Sequence, residues 1–275
     1  MIEINEYLIS GRIFGRKAES RAEHNQVGGR YFVGTSGWNY KHWSGGVFYP
    51  IGMKQSEWLK YYSLYFDSVE INNSFYRLPE KQVFEKWYDM SPQNFHFAVK
   101  ASRFITHMKK LADPEDHLPR FLENGSGLKE KLGVVLFQLP PFWKFNKDRL
   151  EGFFHFLSRQ QILPGLRSAL EVRHASWQCD PCFDILKKYN VCLALTDWPT
   201  LPVERPLTAD FVFVRRHGPG TLYASNYPDA HLKRDAQRMR AWCSEGKDVY
   251  LYYNNDAYGY AVKNGLTLKE FLDKE

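Results

Sequence analysis

Residues Val69–Pro79 read VEINNSFYRLP, and the alternation at the start of this stretch decides the fold. Val69 and Ile71 share one face of a two-residue repeat, which is the pattern of a β-strand. Glu70 and Asn72 share the other face. A strand that is covered by helices turns its apolar face toward them, so the two polar side chains must face an enclosed interior. A buried carboxylate beside a buried amide is costly, and the rest of the chain must therefore supply partners.

The same pattern recurs along the chain as apolar segments that end in polar or aromatic residues and alternate with predicted helices. The eight segments are YFVGTSG from Tyr31, VEINNSF from Val69, HFAVKAS from His96, LGVVLFQL from Leu132, ALEVRH from Ala169, VCLALTD from Val191, FVFVRRHG from Phe211 and VYLYYNND from Val249.

Eight strands that alternate with helices, or with a loop after the sixth strand, predict an α/β fold, the TIM (β/α)8 barrel. We predict one barrel domain over residues 31–275. An open doubly wound sheet is the alternative, but no G-x-G-x-x-G follows the first strand. Residues 1–30 are polar and include several basic side chains, so we predict an N-terminal extension to the barrel.

Composition narrows the class of protein. The chain has 275 residues, of which 44% are hydrophobic, enough for a large core. It has no apolar run of about 20 residues, and its first 30 residues lack the apolar centre of a signal peptide, so we expect a cytoplasmic protein without membrane contact. The net charge of +6 favours an anionic partner, either a phosphate-bearing small molecule or nucleic acid. No tight metal-binding motif occurs, we predict no metal ligands, and no motif identifies a cofactor.

In a barrel of this type, chemistry belongs at the C-terminal ends of the strands. Those ends are polar, charged or aromatic here, where a structural core would carry Val, Ile or Leu. The candidate catalytic residues are Glu70, Lys100, Glu171 and Asp197. The candidate substrate-binding residues are Trp38, Asn72, Tyr76, Gln138, Arg173, His174, Trp198, Arg215, His217, Asn254 and Asn255.

The strand alternation places the Lys100 amine inside the barrel beside Glu70. One interpretation is a buried Glu70–Lys100 ion pair that only neutralises itself. The other is that desolvation lowers the pKa of Lys100 and makes it a base or a Schiff-base nucleophile. An acid and base pair drawn from Glu70, Glu171 and Asp197 is favoured over the Schiff base, because carboxylates in contrasting environments can divide those roles.

Arg215 and His217 follow the seventh predicted strand, and Asn254 and Asn255 follow the eighth. Barrels of this type often bind phosphate in that region, and arginine suits bidentate binding of phosphate or carboxylate. Salt bridges between strands are the alternative use of Arg215. Aromatic side chains in the loops after the strands would give a stacking platform for bases or sugars.

Several spaced motifs from Tyr31 to the C-terminus together resemble the domain of unknown function 72 family, also called YecE-like. They are GTSGWNYKHW, EINNSFYRLP, FHFAVKASRFITHMKKL, LGVVLFQLPP, ALEVRHASW, TDWP and YLYYNND. The resemblance implies an eight-stranded barrel and no established reaction. The signature positions of that family carried here are Gly37, Trp38, Glu70, Asn72, Phe75, Tyr76, Lys100, Gln138, Glu171, Arg173, Trp177, Asp197, Asn254 and Asn255.

Three functions remain open at this point. The favoured hypothesis is an enzyme, such as a hydrolase, that acts on a phosphate-bearing nucleotide or nucleic acid at the aromatic-rimmed mouth. A nucleic-acid-binding protein without catalysis is the first alternative. The second is a sugar or sugar-phosphate isomerase or lyase in which Lys100 is the base.

Overall fold

The computed structural model describes residues 28–202 and 204–274, so residues 1–27 of the predicted extension lie outside the described residues. All strand pairings are parallel. The strands are β1 (Tyr31–Thr35), β2 (Ser68–Ile71), β3 (His96–Lys100), β4 (Leu132–Gln138), β5 (Ser168–Glu171), β6 (Val191–Leu193), β7 (Leu195–Thr196), β8 (Phe211–Arg216) and β9 (Asp248–Tyr253).

Helices separate most of the strands along the chain. They are α1 (Trp58–Tyr62), α2 (Asn73–Tyr76), α3 (Lys81–Met90), α4 (Pro114–Gly125), α5 (Lys147–Arg159), α6 (Asp180–Lys188), α7 (Asp229–Ser244) and α8 (Tyr260–Asp273). The start of α5 has a clear local cause, because the Asn146 side chain accepts a hydrogen bond from the backbone of Arg149 at 3.0 Å. No helix among the described residues has the length and apolar character needed to cross a membrane.

The strands lie in the order β2-β3-β4-β5-β6 in one sheet and β1-β9-β8-β7 in the other. The sheets meet at two places. Ser36, directly after β1, forms a parallel bridge with Glu70 of β2. At the other junction only Ala194 separates β6 from β7, and its backbone N–H bonds to Leu170 of β5 at 2.9 Å. The sixth predicted strand therefore contributes to both sheets, and the predicted α/β TIM-barrel fold is confirmed.

The approach of β1 to β2 depends on a glycine. A Cβ atom at Gly34 would lie 2.1 Å from the carbonyl oxygen of Ser68, so only the bare backbone fits there. On β2 itself, Val69 and Ile71 are fully buried in the cluster that packs against the helices, as the alternation predicts.

The predicted VEINNSF strand is shorter than its pattern suggested. It ends at Ile71, and the next residues form the short helix α2. The Ser74 hydroxyl donates to the Ile71 carbonyl at 3.0 Å and lies 2.7 Å from that of Lys100. Local bonding of this kind competes with the strand ladder and turns the chain out of the barrel.

Candidate functional site

The C-terminal ends of the strands bring five polar side chains together inside the barrel mouth. They come from Ser36 after β1, Glu70 on β2, Lys100 on β3, Glu171 on β5 and Arg215 on β8. Glu70, Glu171 and Arg215 are fully buried. Each points inward because its neighbours on the same strand turn their apolar side chains to the helices.

Arg215 is the centre of this group. Its Nε and Nη2 donate to the two carboxylate oxygens of Glu70 at 2.7 and 2.8 Å, and its Nη1 donates to Glu171 at 2.5 Å. Ser36 adds a hydrogen bond to Glu70 at 2.8 Å. The planar fork of arginine matches a carboxylate in this bidentate way. Every nitrogen atom of the guanidinium thus hydrogen-bonds to the protein. The sequence left open whether Arg215 forms salt bridges between strands, and the structure shows that it does.

Glu171 is held in its charged form. Burial alone would raise the pKa of Glu171, but Arg215, Arg173 and His217 together keep it well below the usual range. Arg173 donates from Nε to the Glu171 carboxylate at 2.9 Å. A carboxyl group with such a low pKa is a weak proton acceptor and carries no proton to donate near neutral pH.

Lys100 lies beside this ion network without joining it. Burial first, and then the charge of Arg215, lower the pKa of Lys100 to about 7, although Glu70 and Glu171 act in the opposite direction. Its Nζ lies 4.4 Å from the centre of the Phe75 ring. Among residues 28–202 and 204–274 the amine has no hydrogen-bonding partner. The Glu70–Lys100 ion pair that was one interpretation of the sequence does not form in the structure, because Glu70 is occupied by Arg215 and Ser36.

His217 closes the network on the side of β8. Burial lowers the pKa of His217, which favours a neutral ring. Its Nδ1 lies 3.2 Å from the Asn254 amide nitrogen, and its Nε2 lies 3.4 Å from the Glu171 carboxylate. Nε2 also lies 3.5 Å from Nη1 of Arg215, so the ring is held against the Arg215–Glu171 ion pair.

Asp197 is bound by the segment that follows β8. Its carboxylate accepts from the backbone of His217 at 2.7 Å and from the Tyr227 hydroxyl. Both hydrogen bonds hold the segment that follows β8 in place. The carboxylate is therefore occupied by the protein rather than presented to the mouth.

Arg173 has free hydrogen-bond donors, whereas those of Arg215 are all engaged. Its guanidinium lies 4.1 Å above the Trp198 ring, and its side chain is 11% exposed. Neither Nη group hydrogen-bonds to a residue that the structure describes. His107, on the π-helix Phe104–Met108 after β3, lies 5.0 Å edge-on from the Phe75 ring. Burial, with Lys100 and Arg173 nearby, lowers the pKa of His107 to about 4.

His107 is absent from the residues predicted from sequence. Its position could have identified it as a candidate, because the FITHM segment follows β3 directly and chemistry is expected after the strands of a barrel. The residue lies beyond the strand pattern, so alternation does not indicate where it points.

The remaining predicted residues have other contacts. Trp38 packs edge-on against Trp87 at 5.1 Å and is only 8% exposed. His174 caps a 3-10 turn by accepting from the backbone of Ser176 at 3.1 Å. Tyr76 is 83% exposed at the rim.

Three predicted amides are also bound by the protein. Asn255 is buried and donates to Asn264 at 2.8 Å, whereas Gln138 donates to the neighbouring Leu139 carbonyl at 2.9 Å. Asn72 donates to the Ser36 carbonyl at 3.3 Å, and its side-chain oxygen is buried without a partner among the described residues. In the part of the chain that the structure describes, no group of three or more His, Cys, Asp or Glu is placed to hold a metal ion.

The chain is similar to curated proteins and to solved structures along most of its length. UPF0759 protein YunF of Bacillus subtilis is 26% identical over 89% of this chain and 95% of its own. UPF0759 protein YecE of Escherichia coli is 29% identical over 52% of this chain and 48% of its own.

Two solved structures share the fold. A DUF72 family protein from Thermotoga maritima is 28% identical, covers 89% of this chain and 100% of its own, and has a TM-score of 0.78. A DUF72 family protein from Enterococcus faecalis is 20% identical, covers 92% of this chain and 100% of its own, and has a TM-score of 0.73. A family model described as protein of unknown function DUF72 matches residues 32–275. The chain therefore belongs to the DUF72 family, as its spaced motifs indicated.

Proposed function

We propose that this protein is an isomerase or lyase that acts on a small phosphate-bearing molecule in the barrel mouth, with Lys100 as the proton acceptor. The observation that carries the proposal is the Lys100 amine, which is inside the mouth, unpaired among the described residues, and has a pKa lowered to about 7. A general base is most effective when its pKa lies near the working pH.

The carboxylates are poorer choices for this role than the sequence suggested. Arg215 binds both Glu70 and Glu171, so a substrate would have to displace its guanidinium to reach either oxygen pair. Removing a partner from a buried charge is costly. Asp197 is occupied by Tyr227 and the backbone of His217. Lys100 is left as the basic group with free hydrogen-bonding capacity.

Arg173 supplies the binding of the anionic group in this proposal. Its Nη groups have no partners among the described residues, and a guanidinium offers two parallel donors to a phosphate. Arg215, which the sequence favoured as the anion ligand, is engaged by Glu70 and Glu171 instead. Phe75 and Trp198 lie over the two cationic groups and provide apolar walls.

The chemistry follows from these positions. Neutral Lys100 accepts a proton from a carbon next to a carbonyl group of the substrate, and the electron pair of the broken C–H bond moves toward the carbonyl oxygen. The positive charge of Arg173 favours the anion that forms. Return of the proton to a different carbon completes an isomerisation, and loss of a leaving group completes an elimination.

Exchange of substrate protons for deuterium tests this step even when the product has not been identified. The purified chain is incubated in D2O with a set of sugar phosphates, and exchange is followed by NMR. We expect exchange in at least one compound, a rate that rises through pH 7, and a loss of about 100-fold or more in Lys100→Met. Lys109→Met is the matched control, since Lys109 follows the same strand but pairs with Asp113 at the surface. Full exchange in Lys100→Met would refute the role of Lys100.

Nucleic-acid binding is a second candidate, favoured by two exposed aromatic residues at the rim. Tyr76 is 83% exposed after β2, and Phe142 is 91% exposed after β4. Exposed rings next to basic loops can stack on unpaired bases. We expect a fluorescent single-stranded oligomer to bind more weakly as salt rises and in a Tyr76→Ala, Phe142→Ala variant. Leu64→Ala is the control, because Leu64 is 69% exposed but precedes β2. Equal binding by both variants would exclude this platform.

A further inference from the structure

A second cavity of about 480 Å3 lies outside the barrel, next to the mouth. Its walls are the segment 197–201 after β7, the residues after β8, and the first half of α7. This volume falls within the range of pockets that bind small molecules. Of the site residues predicted from the sequence, Asp197 and Trp198 line this cavity.

One face of α7 is directed at this cavity. His231, Arg234, Asp235 and Arg238 all line it, and their spacing of three, four and seven residues puts them on one side of a helix. Asp235 is neutralised by a bidentate pair with Arg216, in which one of the two contacts measures 2.8 Å.

The two other arginines of this face have unused donors. Arg234 has no hydrogen bond or ion pair with any residue that the structure describes. Arg238 lies 5.0 Å from the Trp242 ring, and it has no carboxylate partner within the described ranges. On the opposite side the cavity has Glu204, which is exposed, and the apolar side chains of Trp198 and Leu201. The cavity is therefore rich in free guanidinium donors beside an apolar wall.

We propose that this cavity binds a small organic oxyanion, separate from the substrate of the mouth. Arg234 and Arg238 hold the carboxylate or phosphate group, because two guanidinium groups one helical turn apart can share one oxyanion. The apolar part of the ligand packs against Trp198 and Leu201. Of the acidic side chains in the lining, Asp235 is paired with Arg216, and Asp197 accepts from Tyr227 and the backbone of His217. Glu204 has no partner among the described residues, and it faces two free guanidinium groups.

Trp198 also contacts two residues of the mouth. Its ring carries the Arg173 guanidinium at 4.1 Å and meets His217 edge-on at 5.7 Å. A ligand that packs against Trp198 from the cavity thus contacts the residue that positions the anion donor of the mouth. The site is independent of the reaction proposed for Lys100, and it would bind its ligand even if that reaction were wrong.

Titration with phenyl phosphate, benzoate, inorganic phosphate and benzyl alcohol tests the proposal, with the ring signals of His231 followed by NMR. His231 lines the cavity and is not among the residues of the mouth. We expect phenyl phosphate or benzoate to shift these signals at lower concentration than inorganic phosphate, and benzyl alcohol to have no effect. Which of the two aromatic anions binds more tightly identifies the oxyanion.

Three variants decide the location. Arg234→Gln combined with Arg238→Gln should weaken binding by about tenfold or more, because hydrogen bonds to charged groups are lost. Lys233→Gln removes a charge from another face of the same helix, beside Phe271, and should leave binding unchanged. Arg173→Gln should also leave the shift of His231 intact. Unchanged binding in the double variant, or loss in Arg173→Gln alone, would overturn the proposal.

Discussion

Replacing Arg215 with methionine removes the cation that contacts both buried carboxylates. Glu70 and Glu171 are fully buried, as is Arg215, and three charge-assisted hydrogen bonds of 2.5–2.8 Å are lost. Taking one partner from a buried ion pair costs about 3–5 kcal/mol, because the other charge stays desolvated. We therefore expect the free energy of unfolding of Arg215→Met at pH 8 to fall by about that amount.

The loss should depend on pH in a definite direction. A carboxyl group that is buried without a paired cation favours its neutral form, so we expect Arg215→Met to take up protons on folding. The stabilisation that such a group contributes to the folded state is present below the unfolded pKa and is lost as pH rises through the folded pKa. In the wild type the pKa of Glu171 is held low, so its contribution persists down to acidic pH. The deficit of the variant should thus be largest at pH 8 and shrink toward pH 5.

The two carboxylates should not be affected equally. Glu171 keeps Arg173 at 2.9 Å, whereas the remaining side-chain partner of Glu70 is Ser36 at 2.8 Å. Adding Glu70→Gln to Arg215→Met removes the carboxylate that is left without a paired cation. The double variant should recover part of the lost stability, and the recovery should be greatest at pH 8.

Urea unfolding followed by circular dichroism at pH 5, 6.5 and 8 measures these effects. Lys188→Met is a matched control, because Lys188 bonds to Glu151 at 2.6 Å but both side chains are exposed, so little change is expected. A loss in Arg215→Met below about 1 kcal/mol, or a loss that does not vary with pH, would refute the view that Arg215 compensates two desolvated charges.

Four further substitutions test separate parts of the structure. In the wild type, folding must either bury the charge of Lys100 or remove its proton, and this cost to stability vanishes once the unfolded amine is also neutral. Lys100→Met should therefore raise the thermal midpoint by the largest amount below pH 7, and the gain should disappear as pH rises from 7 to 10.5. Gly34→Ala should destabilise the chain in urea, since its Cβ would lie 2.1 Å from the Ser68 oxygen, whereas Gly152→Ala in the interior of α5 has open space and should stabilise it by about 0.5–1 kcal/mol. Asn146→Ala should cost about 1 kcal/mol in the same assay through loss of the cap of α5.

Strand alternation predicted the fold and the inward direction of Glu70, Lys100 and Glu171, because it depends on a local period that each strand must satisfy to bury its apolar face. It could not predict where a residue just beyond a strand points. Gly37 has a positive φ of 102°, and the following Trp38 packs with the hydrophobic core against Trp87. The direction of Trp38 therefore depends on the backbone after β1, which a two-residue period does not describe.

The choice of partner among the inward charges was equally beyond the strand pattern. Both Lys100 and Arg215 could pair with Glu70, and of these two the lysine lies on the adjacent strand β3. Arg215 prevails because its fork binds both oxygens of Glu70 and still reaches Glu171, whereas an ammonium offers one point of charge. The amine that is left over lies in a buried, cationic setting that lowers its pKa. The contacts by which Arg215 binds both carboxylates thus leave the Lys100 amine without a partner among the described residues.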